Sequence, residues 1–485
     1  MIRTVLPFAE EISGKIISKR RCYSSSIPDD NFFDVTIVGG GVVGSSMANL
    51  LAKKLPNLRV ALLDSKEKPP SPPLPGRAPS PRSYALSPRS LTILGKSVQS
   101  RLPIGYYDSM QVWQDFSPAT LTFTSNDLDP EPQKAIYLGG CCEDEALVSE
   151  LYQEIRGSTK LLFNTSLDSF NIGDSNNLVT VKTKDKFELK TALLVGADGG
   201  NSWVRKTAGI PRIGGKYEQS ALTFTVSLEK TSSMNGRAFQ RYLSDGGPLA
   251  LLPTYSPSHA VIVWSTTAEN VSMWKNSSNE DLVTHLNDCL REGPQRIPPL
   301  MEEIQSPHFS NQNSIFSNLL YGADRVLDTI HYGLAMASQH PQPEFRIPPK
   351  ISTIDSPKFT FPLSCYNATT FVKGRVALIG DSAHTVHPMA GQGLNLGLGD
   401  VEFLVSCIKK AYDSGMDISS FLHEYNSIRH KDISVSLGGI HALQRLFHNQ
   451  SVPLQHAKTF GINTIQNFGP LRRQLAVAAA HGLSL

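Results

Sequence analysis

The chain has 485 residues, enough for two or three packed units with a large core. A composition of 40% hydrophobic and 18% charged residues is that of an ordinary globular protein, and a formal charge of +3 excludes the dense basic surface that nucleic acid would require. No apolar run reaches the ~18 residues of a membrane-crossing helix, and six scattered cysteines without a C-x-x-C argue for a reducing compartment rather than a disulfide framework.

The first residues are basic, with Arg3, Lys15, Lys19, Arg20 and Arg21 followed by Ser24 to Ser26. Ile12, Ile16 and Ile17 are spaced to share a helix face. Residues 1–28 therefore read as a mitochondrial transit peptide, or a plastid one, cleaved near Tyr23; Glu10 and Glu11 run against that pattern and favour the competing reading of a disordered tail.

Asp34 to Gly39 is a short apolar strand. Val43, Met47, Leu51 and Leu55 then fall at helical spacing, and Arg59 to Asp64 reads as a second strand. This is the βαβ unit in which a G-x-G-x-x-G carries meaning. Gly39 allows the tight turn, Gly41 lets the backbone approach a pyrophosphate, and Gly44 permits close helix–strand packing. Asp64, at the tip of the second strand, is placed to accept hydrogen bonds from a ribose. Lys68 to Pro81 is proline-rich and predicts an extended surface loop. Glu143 to Ile155 predicts a helix with acidic residues in its first turn.

From about Tyr217 the pattern changes to period two, in Ala221 to Leu228, Ala238 to Leu243 and Ala260 to Thr266. That predicts an antiparallel sheet with one solvated or ligand-facing side. The irregular stretch Ser306 to Lys350 receives no assignment. Arg375 to Asp381 is a buried strand ending in a carboxylate, and Gly391-Gln-Gly393-Leu-Asn395 opens a helix with Leu394, Leu398, Val401, Val405 and Ile408 on one face. The boundaries that follow are a dinucleotide-binding domain at 29–216 and 365–420, a mixed-sheet substrate domain at 217–364, and a helical segment at 421–485.

Two segments more than three hundred residues apart thus predict one dinucleotide site. Asp381 would serve a second sugar or a ribityl chain. The helix opened by Gly391 and Gly393 would direct its positive end at an electron-rich ring edge, which points to a flavin. His384 and His387 form an H-x-x-H without an acidic partner at metal-ligand spacing, so they read as packing in the flavin site, and no metal is expected. The residues alone name no acid–base pair, and the catalytic residues remain unassigned.

The Gly39–Gly44 loop, Arg82 in Arg-Ser-Tyr-Ala-Leu-Ser87, Asp198-Gly199 in Gly-Ala-Asp-Gly-Gly-Asn-Ser202, and Gly380 to Asn395 together resemble the flavin-dependent aromatic hydroxylases of the para-hydroxybenzoate hydroxylase type. The Arg82 segment and the stretch from Gly438 to Pro470 resemble the mitochondrial ubiquinone-biosynthesis branch more narrowly. The resemblance implies an α/β Rossmann-like FAD domain joined to an antiparallel-sheet domain and C-terminal helices. It implies that Arg82 meets the pyrophosphate or ribityl region of FAD, and that Asp198-Gly199 lies near the pyrophosphate. It implies ring hydroxylation at C5 of a polyprenylated benzoate or phenol with O₂, through a flavin C4a-hydroperoxide. It further implies a ferredoxin and ferredoxin reductase as electron donor, membership of a ubiquinone-biosynthetic complex, and peripheral contact with the matrix side of the mitochondrial inner membrane. A flavoprotein oxidase or dehydrogenase acting on another hydrophobic substrate, or an FAD-containing structural subunit, stands as the alternative.

Overall fold

The computed structural model describes residues 31–69, 77–128, 137–155, 159–172, 178–230, 233–244, 247–297, 326, 344–387, 391–449 and 451–481. The expected transit segment and most of 306–350 lie outside the described residues.

Val60 to Leu63 is buried throughout, and Val35 and Ile37 of the strand Phe32–Val38 have no exposed surface. Such unbroken apolar runs belong in the middle of a parallel sheet, where both faces are covered. The first sheet runs in the order Val372–Lys373, Val376–Leu378, Glu188–Gly196, Phe32–Val38, Val60–Leu63, Thr159–Leu162. From Val376–Leu378 to Thr159–Leu162 every pair is parallel. The helices Val42–Lys54 and Gln392–Asp413 pack on it through Met47, Leu51, Val401, Leu404 and Ile408. The expected apolar face of the second helix is the buried one, with Leu394 at its edge.

The second sheet has nine strands among the described residues and is antiparallel, except where Ser109–Gln114 runs parallel to Arg237–Tyr242. Its long strand Arg212–Leu228 pairs with His259–Thr267 on one side and Phe359–Ala368 on the other. Leu222, Phe224 and Val226 point at Leu282, Leu286 and Leu290 of the helix Asn279–Arg291. The alternate residues meet the proline-rich segment. Thr223 donates its hydroxyl to the Pro81 carbonyl at 3.3 Å, and Thr225 to the Pro79 carbonyl at 2.7 Å. The expected surface loop is therefore corrected at its end, because Pro79 and Pro81 are buried under this sheet. Pro79 and Pro81 carry no N–H, so burying them leaves only their carbonyls, which the two threonine hydroxyls meet, while the Ser80 N–H between them bonds Glu143 at 2.7 Å.

A third sheet, Ser83–Leu86, Gly139–Glu143 and Ile104–Tyr107, joins the other two. The helix Leu422–His448 packs on Gln392–Asp413. Val452–Asn467 and Gly469–His481 return to the second sheet. There Ile462 joins Ala119 and Leu121, Ser117 bonds Thr459 at 2.8 Å, and Arg472 pairs with Asp127 at 2.9 Å.

Candidate active site

In the first sheet Leu63, Val38, Gly196 and Leu378 stand in register as neighbours. The next residues of all four strands therefore emerge side by side at the carboxyl edge, where parallel α/β sheets bind ligands. They are Asp64, Gly39, Ala197-Asp198 and Ile379-Gly380-Asp381. Parallel pairing, not proximity in sequence, brings the sequence-predicted residues together.

Each glycine of the upstream loop answers to a different neighbour. Gly39 has φ +105°, and a Cβ there would stand 2.4 Å from the Ala197 carbonyl oxygen. At Gly44 a Cβ would stand 1.9 Å from the Gly39 oxygen, so helix and turn touch. At Gly41, the N-cap of Val42–Lys54, a Cβ would meet no protein atom within 4 Å. The space beside it is open, and no side chain caps this helix start or places an acid in its first turn. Free N–H groups and the positive end of the helix face that space. Asp64 accepts the Gly40 N–H at 2.7 Å and the Lys66 N–H at 2.8 Å, one on each carboxylate oxygen, which orients it at the same edge.

The downstream segment closes against this loop. Gly380, at φ +60°, would bring a Cβ to 3.2 Å from Val43, and Gly397 would bring one to 3.0 Å from Val43 and 3.1 Å from the Gly380 Cα. The helix Gln392–Asp413 starts at Gly391, in the left-handed conformation at φ +60°, again with no side-chain cap and no acid in its first turn. A Cβ on Gly393 would touch Val386 at 3.4 Å. Asn395 accepts the Ser87 N–H at 2.9 Å and the Ser90 hydroxyl at 2.7 Å, and donates to the carbonyls of Ala85 at 3.0 Å and Gly391 at 3.1 Å. It ties the helix start to the strand Ser83–Leu86, which follows Arg82. Asp381 opens onto solvent, yet the surrounding protein displaces enough hydration to raise its carboxyl above the usual range, while His384 pulls the other way.

Asp198 accepts the N–H groups of Trp203 at 2.7 Å and Val204 at 3.0 Å, and the Ser382 hydroxyl at 3.0 Å. It caps a helix start and holds the Gly380–Ser382 turn. Gly199, at φ +81°, faces open space. Arg82 is exposed, and among the described residues no side-chain partner engages its guanidinium. It lies close enough to Tyr84 to act on that hydroxyl, which Asp381 also reaches.

Asp400 was not singled out from the sequence, where its one signal is an acid set among Leu394, Leu398, Val401 and Val405 on the apolar face of its helix. Asp400 is fully buried and accepts the Gly380 N–H at 2.9 Å, His384 at 2.6 Å and Arg429 at 2.9 Å. Nor does the sequence show a cavity of about 1400 Å³ between the second sheet and the helix Leu422–His448, lined by Tyr217, Gln219, Cys365, His441 and Arg445 among others. At the cavity wall Tyr217 packs edge-on against His387, four residues before Gly391. Burial alone holds the His387 ring neutral, pushed down to about 4.

Residues 33–312 and 349–434 match the family described as "FAD binding domain". The chain belongs to that family. Its cofactor is FAD, and its class is the FAD-dependent aromatic monooxygenases of the para-hydroxybenzoate hydroxylase type. It is 30% identical over 497 aligned residues to the mitochondrial ubiquinone biosynthesis monooxygenase COQ6 of Danio rerio, covering 97% of this chain and 94% of that one. With the Homo sapiens COQ6 the identity is 29%, over 96% of both chains. The p-nitrophenol 4-monooxygenase PnpA of Pseudomonas putida shares the fold at a TM-score of 0.64 and 16% identity, over 94% of this chain and all of that one. PqsL of Pseudomonas aeruginosa shares it at 0.62 and 20%, over 89% and 100%. The residues present fit FAD. Two uncapped helix starts, open space at Gly41 and Gly199, and carboxylates at two strand ends suit a pyrophosphate flanked by two sugars.

Proposed function

We propose that the chain hydroxylates, at C5, the aromatic ring of a polyprenylated benzoate or phenol intermediate of ubiquinone biosynthesis. The observation that carries this reading is the cavity of about 1400 Å³, which is roofed by the second sheet and whose wall residue Tyr217 packs against His387. A drug-sized pocket holds roughly 300–1000 Å³, so this one has room for a ring and part of a long tail. The COQ6 relatives supply the pathway.

When bound and reduced, FAD supplies the activation of O₂. The chain's own part is binding, orientation and exclusion of water. In this reading Gly39, Gly41 and Gly44 admit the pyrophosphate, and Asp64 holds the adenosine ribose. Asp381 holds the ribityl chain, and Arg82 meets the pyrophosphate or ribityl region. Asp198 and Gly199 shape the turn beside the pyrophosphate. Gly391, Gly393 and Asn395 fix the helix start that faces the flavin ring. The proposed setting is the matrix side of the mitochondrial inner membrane, with peripheral contact, a ferredoxin and ferredoxin reductase as electron donor, and a ubiquinone-biosynthetic complex as partner. No helix of the described residues is long and apolar enough to cross a membrane, which suits that peripheral placement.

The test is turnover of a 3-polyprenyl-4-hydroxybenzoate under ¹⁸O₂, read by mass spectrometry. One labelled oxygen at C5 is the expected result. Substrate-dependent O₂ uptake that leaves the product unlabelled would instead identify an oxidase.

A further inference from the structure

The last helix, Gly469–His481, contributes no residue to the FAD site, yet it is joined both to the second sheet and to the FAD unit. At one end the Arg472 guanidinium donates to Asp127 at 2.9 Å. Asp127 is buried in the turn Ser125–Asp127, which closes the strand Thr120–Thr124, and its other carboxylate oxygen accepts the Thr124 N–H at 2.8 Å. The carboxylate is thus fixed from its own strand before Arg472 meets it. Arg472 also donates to the Gln466 carbonyl, and the Gln466 side chain accepts the buried Thr122 N–H at 2.9 Å.

At the other end Gln392, the first residue of the helix that faces the flavin, donates its side-chain amide to the Ala479 carbonyl at 3.1 Å. The last carbonyls of a helix have no partner within it, and here one of them is met. The negative end of Gly469–His481 meets the positive start of Gln392–Asp413, an attractive pairing of dipole ends. Between the two ends Ala476 and Ala480 are buried, and the helix lies on Pro88–Leu94. That short helix is pinned to the same partner: Ser90 bonds Asn395 at 2.7 Å and Arg89 bonds Glu402 at 2.9 Å. Residues 472 to 479 span about 10 Å of helix, and they bridge the two units.

We propose that Gly469–His481 is the strut that sets the flavin-facing helix start against the substrate sheet, with Arg472 and Gln392 as positioning residues for oxygen transfer. This rests on the monooxygenase reading above. In that reading the FAD unit carries the flavin and the second sheet roofs the ring, so the distance between the reacting atoms depends on what fixes one unit to the other. Transfer tolerates only a fraction of an ångström of error in that distance. Reduced FAD supplies two electrons and two protons to O₂ whether or not the ring is in place. With the ring in place, one oxygen atom enters its C–H bond and the other leaves as water. With the ring displaced, both oxygen atoms leave as H₂O₂. Neither Arg472 nor Gln392 touches the reacting atoms, so their loss shifts the division between these two outcomes and leaves FAD bound.

The test uses holoenzyme of wild type, Arg472→Met, Arg472→Lys and Gln392→Ala. Each is reduced anaerobically with one equivalent of dithionite, loaded with 3-prenyl-4-hydroxybenzoate and mixed with aerated buffer well below its Tm. Product and H₂O₂ per flavin are measured, together with hydrogen exchange of the FAD-free proteins over Ser83 to Leu91 and Leu396 to Val401. Arg472→Met should slow product formation roughly tenfold or more and return the missing oxygen as H₂O₂. Gln392→Ala, which removes a single exposed hydrogen bond, should act in the same direction by about two- to tenfold, and it carries the test even where Arg472→Met folds poorly. Both should speed exchange in the two segments at wild-type FAD content. Arg472→Lys, which keeps a cation opposite Asp127, should recover most of the product. Variants that divide O₂ as wild type does, exchange that is unchanged in both segments, or a loss that Arg472→Lys fails to recover would overturn the strut while leaving the monooxygenase reading intact. Wild type that gives H₂O₂ alone would remove both.

Discussion

A methyl group added at Gly39 would stand 2.4 Å from the Ala197 carbonyl oxygen, while one added at Gly41 would meet no protein atom within 4 Å. The two glycines therefore answer substitution in opposite ways. Gly39→Ala forces a side chain into φ +105° against backbone and should cost at least about 1–3 kcal/mol of stability, read as a lowered Tm of the FAD-free protein. Gly41→Val should leave stability within about 0.5 kcal/mol of wild type and, if the pyrophosphate occupies that space as proposed, weaken FAD binding at least roughly tenfold. Unchanged FAD affinity in Gly41→Val would contradict the pyrophosphate role. Asp381→Ala should weaken FAD about ten- to hundredfold, the loss of a hydrogen bond to a charged group, in a protein that still melts cooperatively.

Asp400 makes its prediction through pH. Burial alone would raise its carboxyl, but His384 and Arg429 outweigh that and hold it below the ordinary value. A carboxyl depressed by folding gives stability that is complete above its unfolded value, near 3.9, and is lost as pH falls through the folded value. Tm should therefore fall on acidification below about pH 4. Asp400→Asn leaves the buried Arg429 with only the longer carboxylate contact to Asp432 at 3.4 Å and should cost about 3–5 kcal/mol at pH 7. Melting curves from pH 3 to 7 check both. A variant with wild-type stability at pH 7 would show that the cluster does not hold the turn.

Among the elements, the crossing of the helices Val42–Lys54 and Gln392–Asp413 sets the site. Gly397 meets Val43 and Gly380 there with no room for a side chain. Gly397→Leu should cost about 1–3 kcal/mol by overpacking and lower FAD content with it, since it moves both loops at once. Loss of stability with full FAD affinity would separate the crossing from the site. The βαβ unit and the second glycine loop were legible in the sequence because their signals are local. Glycine spacing, an apolar run and a terminal carboxylate sit within a few residues of one another. The buried end of the proline-rich loop was not legible, because its carbonyls are satisfied by Thr223 and Thr225, some 140 residues away in the chain.

On the scale of the whole molecule, parallel pairing is what makes one site from residues 39 and 381. It aligns Val38, Gly196 and Leu378 so that their successors share an edge. The same long-range assembly brings the helix Leu422–His448 over the second sheet, where Tyr217 and His441, separated by 224 positions, come to 3.0 Å. Composition and periodicity carry no trace of such a pair. The measurement that bears most directly on this account is a titration of FAD-free, folded protein with FAD, followed by flavin absorbance and fluorescence, on wild type, Gly41→Val and Asp381→Ala. The account predicts saturation at one FAD per chain for wild type and weakened binding for substitutions at either end of the sequence. Tight binding that ignores one of the two substitutions, or a folded wild type that takes up no FAD, would contradict it.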